Sequence, residues 1–426
     1  MPTIEELYQI YLKHPSVQTD TRKLKPGDIF FALKGENFNG NAFAKQAVEA
    51  GAAYVVIDDA AYEISGKTIL VDNVLECLQQ LAHHHRQQFQ IPFIAITGSN
   101  GKTTTKELIH AVLSSKYKTY TTEGNLNNHI GIPLTLLKIK ADAEIAVIEM
   151  GANHQKEIES YCRYALPTHG LITNCGKAHL EGFGGAAGVR KGKGELFDYL
   201  KTIEGTAFIF NDYDYLKEMS AGISHIYSYG SNDGDITGKM LSSEPYLETA
   251  ITGKNTFHIQ TQLVGSYNFP NVLAAVCVGQ YFKIAADKIK WAIENYTPSN
   301  SRSQLINKGS NRFILDAYNA NPSSMKLAIE NFANLKSEKK VLLLGAMAEL
   351  GEESVAEHEA IIKLIQSKNW EKVVLVGGDF IKLSHPFLSF SNSDEAKTWL
   401  QNQKFENTDF LVKGSRSMQM EKIITE

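Results

Sequence analysis

The amino-acid sequence predicts an α/β protein of three domains, the central one built on a mostly parallel sheet. Three observations carry this reading. The chain has 426 residues, which suits three domains at roughly 150 residues each. From Ile91 onward, strand-length apolar runs alternate with helical stretches, the pattern of βαβ units. A second such alternation starts near Pro298, after a polar, turn-rich interval at 231–262. The boundaries fall at 1–89, 90–297 and 298–426.

The first span opens with a helical pattern, Ile4 to Leu12. Short apolar runs follow, Asp28-Ile-Phe-Phe-Ala-Leu33 after the Pro26-Gly27 turn signal and Ala53-Tyr-Val-Val-Ile57. A second helical pattern, Leu75 to His85, closes it. The run His83-His84-His85 reads as a solvated helix end, because adjacent helical positions point in different directions. The central span carries strands at Pro92–Ile96, Glu144–Ile148, Gly170–Thr173 and Thr206–Phe210, with a helix from Lys106 to Leu113. The interval 231–262 reads as a small antiparallel excursion. The last span carries strands at Phe313–Leu315, Val341–Leu344, Val373–Val376 and Phe410–Val412.

Composition narrows the function classes. With 21% charged residues, 43% apolar residues and a net charge of −4, the chain is an ordinary globular protein. It lacks the basic excess that nucleic acid or an anionic membrane rewards. No run approaches the ~18 apolar residues of a membrane span, and Met1 to Glu6 does not open a secretory signal. The four cysteines, Cys77, Cys162, Cys175 and Cys277, are scattered. These features give the expectation of a cytoplasmic protein with reduced thiols.

The strongest chemical signal is Gly98-Ser99-Asn100-Gly101-Lys102-Thr103, between a strand and a helix. Glycines let backbone N–H groups approach phosphate oxygens, and the helix N-terminus favours anions. Lys102 can neutralise the β- and γ-phosphates, and the Thr103 hydroxyl can ligate Mg²⁺. Ile96 stands where the first glycine of the standard motif belongs. Glu149, just past an apolar strand, is placed as a magnesium carboxylate. His179 also follows a strand of the same sheet, and is either structural or part of the site. Lys193, in Arg190-Lys-Gly-Lys-Gly-Glu195, reads by itself as a basic helix start.

Taken together, these segments resemble the Mur ligase family, ATP-dependent amide-forming enzymes of peptidoglycan precursor synthesis. The resemblance spans nearly the whole chain. It rests on Asp20-Thr-Arg22 with Pro26 to Gly35, the loop Thr97 to Thr105, Glu123-Gly-Asn-Leu-Asn-Asn128 with Gly131-Ile-Pro133, and Glu149-Met-Gly-Ala152. It continues through Ala178 to Gly184, Lys193-Gly-Glu195, Tyr267-Asn-Phe-Pro-Asn271, Asp316-Ala-Tyr-Asn-Ala-Asn-Pro322, Met347-Ala-Glu-Leu-Gly351 and Val412-Lys-Gly-Ser-Arg416. The phosphate loop alone fits the whole family, folylpolyglutamate synthases included. The Tyr318 to Pro322 and Met347 to Gly351 segments point to the member that adds D-alanyl-D-alanine to UDP-N-acetylmuramoyl-tripeptide.

The resemblance implies a UDP-substrate-binding first domain, a P-loop ATPase-like second and a Rossmann-like third. It implies substrate contacts at Thr19, Asp20 and Arg22, and at Asn125, Asn127 and Asn128. ATP would be held by Gly98, Ser99, Asn100, Gly101, Lys102, Thr103 and Thr104. Asn268 and Asn271 would lie near adenine, and Arg302, Asp316 and Tyr318 would reach the nucleotide. Asn319, Asn321, Lys413, Ser415 and Arg416 would position the peptide or dipeptide. Mg²⁺ would be held by Thr103, Glu149, His179 and Lys193, the last carbamylated by CO₂. Lys102, Lys193, His179 and Glu149 would be the catalytic set, in a monomer. Three positions depart from the family pattern: Asn39-Gly40-Asn41 for Asp-Gly-His, Ala346 for an Asp, and Tyr267 for a common His. Two alternatives remain, a family ligase adding a single amino acid, and a P-loop nucleotide switch without ligase chemistry.

Overall fold

The computed structural model describes residues 2–253, 256–298 and 301–425. Residues 299 and 300, beside the boundary expected at 297/298, lie outside the described residues. The chain folds as an α/β protein with three larger sheets, at residues 17–70, 93–260 and 304–413.

The first helix, Ile4–Lys13, starts where the sequence places it. Thr3 and Glu6 form a reciprocal capping box. A four-stranded parallel sheet follows, ordered Val17–Gln18, Ile29–Phe31, Tyr54–Ile57, Thr68–Leu70. The helix Val74–Gln87 begins on an Asn73 cap. It packs against the helices Gly131–Leu137 and Glu157–Ala165 of the next span as well as on Ile4–Lys13. This corrects the reading of the histidine run. His85 is buried, with its ring nitrogens meeting the Tyr8 hydroxyl at 3.1 Å and the Ile139 carbonyl at 2.8 Å.

The central sheet has nine strands. Its heart is the parallel trio Ile145–Glu149, Phe93–Thr97 and His169–Ile172. Strands Phe93–Thr97 and Ile145–Glu149 are buried along their whole length, as expected where helices cover both faces of a parallel sheet. Register places Ile96 opposite Glu149, and Thr97 opposite Ile172. Two strands were not foreseen, Thr119–Thr121 at one edge and His225–Gly230. The polar interval does contain an antiparallel unit, Ile236–Ser242, Glu248–Thr252 and Phe257–Gln260. It is not a separate excursion, however, because its first strand pairs in parallel with His225–Gly230 and extends the same sheet.

The third sheet has six strands, ordered Gln304–Lys308, Asn311–Asp316, Asp409–Lys413, Lys340–Gly345, Lys372–Val376 and Leu388–Phe390. All pairs are parallel except the first. All four thiols are free. Among the described residues, no helix is long and apolar enough to cross a membrane.

His169 gives the fold a pH dependence. Its ring stacks on Phe208, and its nitrogens meet the Thr168 and Tyr281 hydroxyls at 2.8 and 3.3 Å. Burial pushes the imidazole from 6.5 down to about 4. The folded state therefore holds fewer protons than the unfolded one between these values. Its contribution is complete above the unfolded pKa and is lost as pH falls toward the folded one, by about 3 kcal/mol at most. Urea unfolding of His169→Gln should show a shallower loss of stability between about pH 7 and about pH 4.5 than the parent, whatever the substitution costs at neutral pH.

Candidate active site

The phosphate loop lies between strand Phe93–Thr97 and helix Lys102–Ser114. The helix starts directly on the loop, four residues earlier than the sequence suggests. Gly98 and Gly101 have φ of +138° and +80°, values that favour glycine. Space demands glycine too. A Cβ on Gly98 would lie 2.0 Å from Thr173 Oγ1, and one on Gly101 would lie 2.7 Å from Asn271 Oδ1. The neighbouring strand end holds the loop in shape. Ser99 N–H donates to the Asn174 carbonyl at 2.8 Å, and Thr173 Oγ1 donates to the Asn100 carbonyl at 2.6 Å.

Lys102 is folded back on the loop, its Nζ donating to the carbonyls of Gly98 at 2.6 Å and Ser99 at 3.3 Å. Desolvation pushes its pKa down; Glu149 opposes this and Arg302 adds to it. Thr104, the next residue after Thr103, is buried in the first turn of the same helix.

The strand ends bring Thr103 and Glu149 together. Thr103 Oγ1 donates to Glu149 Oε1 at 3.1 Å, and Asn127 Nδ2 donates to the same oxygen at 2.8 Å. Thr122 Oγ1 accepts from the Glu149 N–H at 3.0 Å. Glu149 is 1% exposed, and its Oε2 is buried without any hydrogen-bond partner. An orphaned buried carboxylate oxygen is costly. A hard divalent cation, also bound by the Thr103 hydroxyl, would supply the missing partner. This part of the donor set fits Mg²⁺.

The rest of the expected metal set is arranged differently. His179, in left-handed conformation at φ +52°, turns its Nδ1 to the Glu349 carboxylate of the last domain. That contact holds the Glu349 carboxyl below its ordinary range. Lys193 is no surface residue at a helix start. It lies within helix Ala186–Thr202, is 0% exposed, and donates to the Ala152 carbonyl at 2.9 Å. Desolvation, and then the nearby Lys102 charge, drive its pKa well below the ordinary lysine value. Among the described residues, no three His, Cys, Asp or Glu side chains are grouped to hold a metal.

The expected adenine pair forms a buried chain. Thr105 Oγ1 donates to Asn271 Oδ1 at 3.0 Å, and Asn271 Nδ2 donates to Asn268 Oδ1 at 2.9 Å. Tyr267, the departure from the family pattern, meets Ser303 Oγ at 3.2 Å. Arg302 stacks on Tyr318, 3.6 Å from the ring centre, with its Nε buried and unpartnered. Arg416 faces the same ring at 6.0 Å. Asp316 is not free, since Lys413 Nζ donates to it at 2.5 Å. Ser415 is buried beside Ser417 at 3.1 Å, and Asn319 Oδ1 accepts from Ala320 N–H at 2.9 Å. Asn321 caps helix Pro322–Ala333, and its Nδ2 donates to Asn100 Oδ1 of the phosphate loop at 2.7 Å.

The substrate positions nearer the N-terminus are less gathered. Asp20 and Arg22 pair with each other at 2.8 Å beside Thr19, and Arg22 holds the Asp20 carboxyl down at about 2. Asn125 is exposed, and Asn128 Oδ1 caps helix Gly131–Leu137 through Gly131 N–H at 2.9 Å. Sequence reading missed Thr122, Thr173 and Asn174, whose roles come from strand register. It also gave no role to Glu349, although that residue stands inside the segment Met347 to Gly351.

Three family models cover most of the chain: the "Mur ligase family, catalytic domain" at residues 15–86, the "Mur ligase middle domain" at 96–279 and the "Mur ligase, glutamate ligase domain" at 301–408. The chain belongs to the Mur ligase family. It is 38% identical over 96% of its length to the UDP-N-acetylmuramoyl-tripeptide–D-alanyl-D-alanine ligase of Bacillus subtilis, covering 92% of that protein. It is 36% identical, with the same coverages, to the ligase of that name from Escherichia coli. The fold matches MurF of Acinetobacter baumannii with a TM-score of 0.87 at 30% identity, over 99% of this chain and 97% of that one. It matches MurF of Thermotoga maritima in complex with ADP at 0.87 and 25% identity, over 97% of each chain. This Mur ligase is thus an ATP-dependent, amide-bond-forming enzyme with the family's three-domain architecture.

Gly98→Ala tests the loop. Adding a Cβ at a strained, crowded position costs of order 1–3 kcal/mol, so ADP binding measured by calorimetry should weaken about tenfold or more. Binding within about twofold of the parent's would show that the loop does not shape a phosphate site.

Proposed function

We propose that this Mur ligase joins D-alanyl-D-alanine to UDP-N-acetylmuramoyl-tripeptide, with cleavage of ATP to ADP and phosphate. The observation that carries the reading is the pairing of Thr103 with Glu149 at the mouth of the phosphate loop, with one carboxylate oxygen left open. The activity named for the relatives above supports a dipeptide as the amine. A family ligase for single amino acids, and a nucleotide switch, would share the loop but differ in product.

A carboxylate resists direct attack by an amine. The tripeptide carboxylate attacks the γ-phosphorus, ADP leaves, and an acyl phosphate forms. The free amine of the dipeptide then attacks the acyl carbon and expels phosphate. Thr103 and Glu149 would hold magnesium, which would neutralise charge at the phosphates. Lys102 leaves its loop carbonyls and follows the transferring phosphoryl group. The loop N–H groups and helix N-terminus orient the β-phosphate. Arg302, stacked on Tyr318, approaches the nucleotide from the last domain, and closure of that domain excludes water. The reading includes a monomer acting in the cytoplasm.

Lys193 enters as a carbamate. Its burial beside Lys102 favours the neutral amine, the form whose lone pair attacks CO₂. Loss of one proton then gives an N-carboxylate of charge −1, an oxygen donor in place of a cation. His179 completes the site once it is released from Glu349.

Mass spectrometry of a reaction holding ATP, D-alanyl-D-alanine and UDP-N-acetylmuramoyl-tripeptide tests the function. The pentapeptide product is expected, and ATP turnover should need both the carboxylate and the amine. Sizeable turnover without either would favour a switch. Lys102→Ala should lower turnover by about 10²-fold or more with the fold retained. Lys193→Ala should nearly abolish ligation, with partial rescue by acetate or formate but not by chloride at equal ionic strength. Full activity without additive would overturn the carbamate.

A further inference from the structure

Lys106 lies one turn into the helix that follows the phosphate loop, and it is 2% exposed. Its ammonium donates to the Thr122 carbonyl at 2.7 Å, and Glu107 Oε1 stands 3.6 Å away. Glu107 in turn accepts from the Tyr296 hydroxyl at 2.5 Å. A buried charge with so few partners is a poor way to stabilise a core, because desolvation offsets most of the attraction. An apolar side chain of similar volume would fill the space at little or no cost.

What Lys106 grips is more telling than its burial. Thr122 follows the edge strand Thr119–Thr121 and opens the segment 122–128. That residue is fully buried, and its hydroxyl accepts the Glu149 N–H at 3.0 Å. Five residues on, Asn127 donates to Glu149 Oε1 at 2.8 Å. One end of the segment thus fixes the Glu149 backbone, and the other fixes its carboxylate. The strand Thr119–Thr121 that leads into this segment lies at the sheet edge, with no strand beyond it among the described residues. The lysine ties that edge to the same helix that bears Thr103.

We propose that Lys106 is a positioning residue: it fixes Thr122, and through the 122–128 segment it holds Glu149 facing Thr103. This inference rests on the reading of Glu149 as a magnesium carboxylate. In chemical terms, Lys106 sets the distance between the two protein oxygens offered to a divalent cation. It touches neither nucleotide nor metal.

The test uses the full chain and two readouts, calorimetric binding of ADP with and without Mg²⁺, and turnover with both substrates. Lys106→Met should melt at the parent's temperature or above it. Its affinity for ADP without Mg²⁺ should be unchanged, whereas the Mg²⁺-dependent gain in ADP affinity and kcat should each fall about 10–100-fold. Thr122→Val, which keeps the shape but loses the hydroxyl, should move both readouts in the same direction. Thr122→Ser, which keeps the hydroxyl, should restore them. A folded Lys106→Met with Mg²⁺-dependent binding and kcat within about twofold of the parent would overturn the proposal. So would a lower melting temperature with both readouts intact, since that describes packing alone. Glu149→Gln is the comparator. If it leaves magnesium dependence untouched, the metal reading itself fails. If it responds and Lys106→Met does not, the metal reading stands and only the positioning role is lost.

Discussion

The parallel register of three central strands is the constraint on which the rest depends. Because Phe93–Thr97 lies between Ile145–Glu149 and His169–Ile172, three loops leave the sheet on the same side and at the same height. The first supplies the phosphate loop, the second Glu149, and the third the Thr173 and Asn174 groups that brace the loop. A one-residue slip would turn each of these side chains to the opposite face. Phe93–Thr97 and Ile145–Glu149 are apolar up to their last residues and buried along their length, so the core that stabilises the domain also fixes its chemistry.

Chemistry of this kind needs buried polar groups, and they are held in pairs or chains. Asn271 and Asn268 satisfy one another beside Thr105. Lys413 neutralises Asp316. Among the described residues the unpartnered atoms include Glu149 Oε2 and Arg302 Nε at the candidate site, and also the Tyr164 hydroxyl and Glu421 Oε2. On the proposed reading, a nucleotide with its metal would supply partners for Glu149 Oε2 and Arg302 Nε together.

Much of this was legible in the sequence. The phosphate loop stood out because its glycines and lysine are contiguous, and Glu149 because it ends an apolar run. What the sequence hid depends on distance along the chain. Thr122 matters through its pairings with Glu149, 27 residues away, and with Lys106, 16 residues away. Lys193 looks like a surface charge among glycines, yet those glycines let the helix pack closely: a Cβ on Gly192 would lie 2.4 Å from the Phe183 ring. His85 looked solvated as one of three histidines, but its place on the helix turns it to Tyr11 and the Ile139 carbonyl, while His84 packs on Tyr8. The antiparallel strands were visible, but their fusion to the main sheet was not, because strand order is not written in local periodicity.

The contacts between the last domain and the loops at the ends of the central strands have a thermodynamic consequence. Asn321 donates to Asn100, Lys177 N–H donates to Ser323 Oγ at 2.8 Å, Lys177 Nζ pairs with Glu357, and His179 pairs with Glu349. On the proposed reading, each contact joins a residue of the nucleotide site to the domain that would receive the peptide. A ligand that breaks or strengthens one of them shifts the free energy of the other site. By linkage the effect is mutual, and the factor by which ATP changes peptide affinity equals the factor by which peptide changes ATP affinity. Where both ligands act on these shared contacts, filling one site changes the affinity of the other by the same factor in either direction.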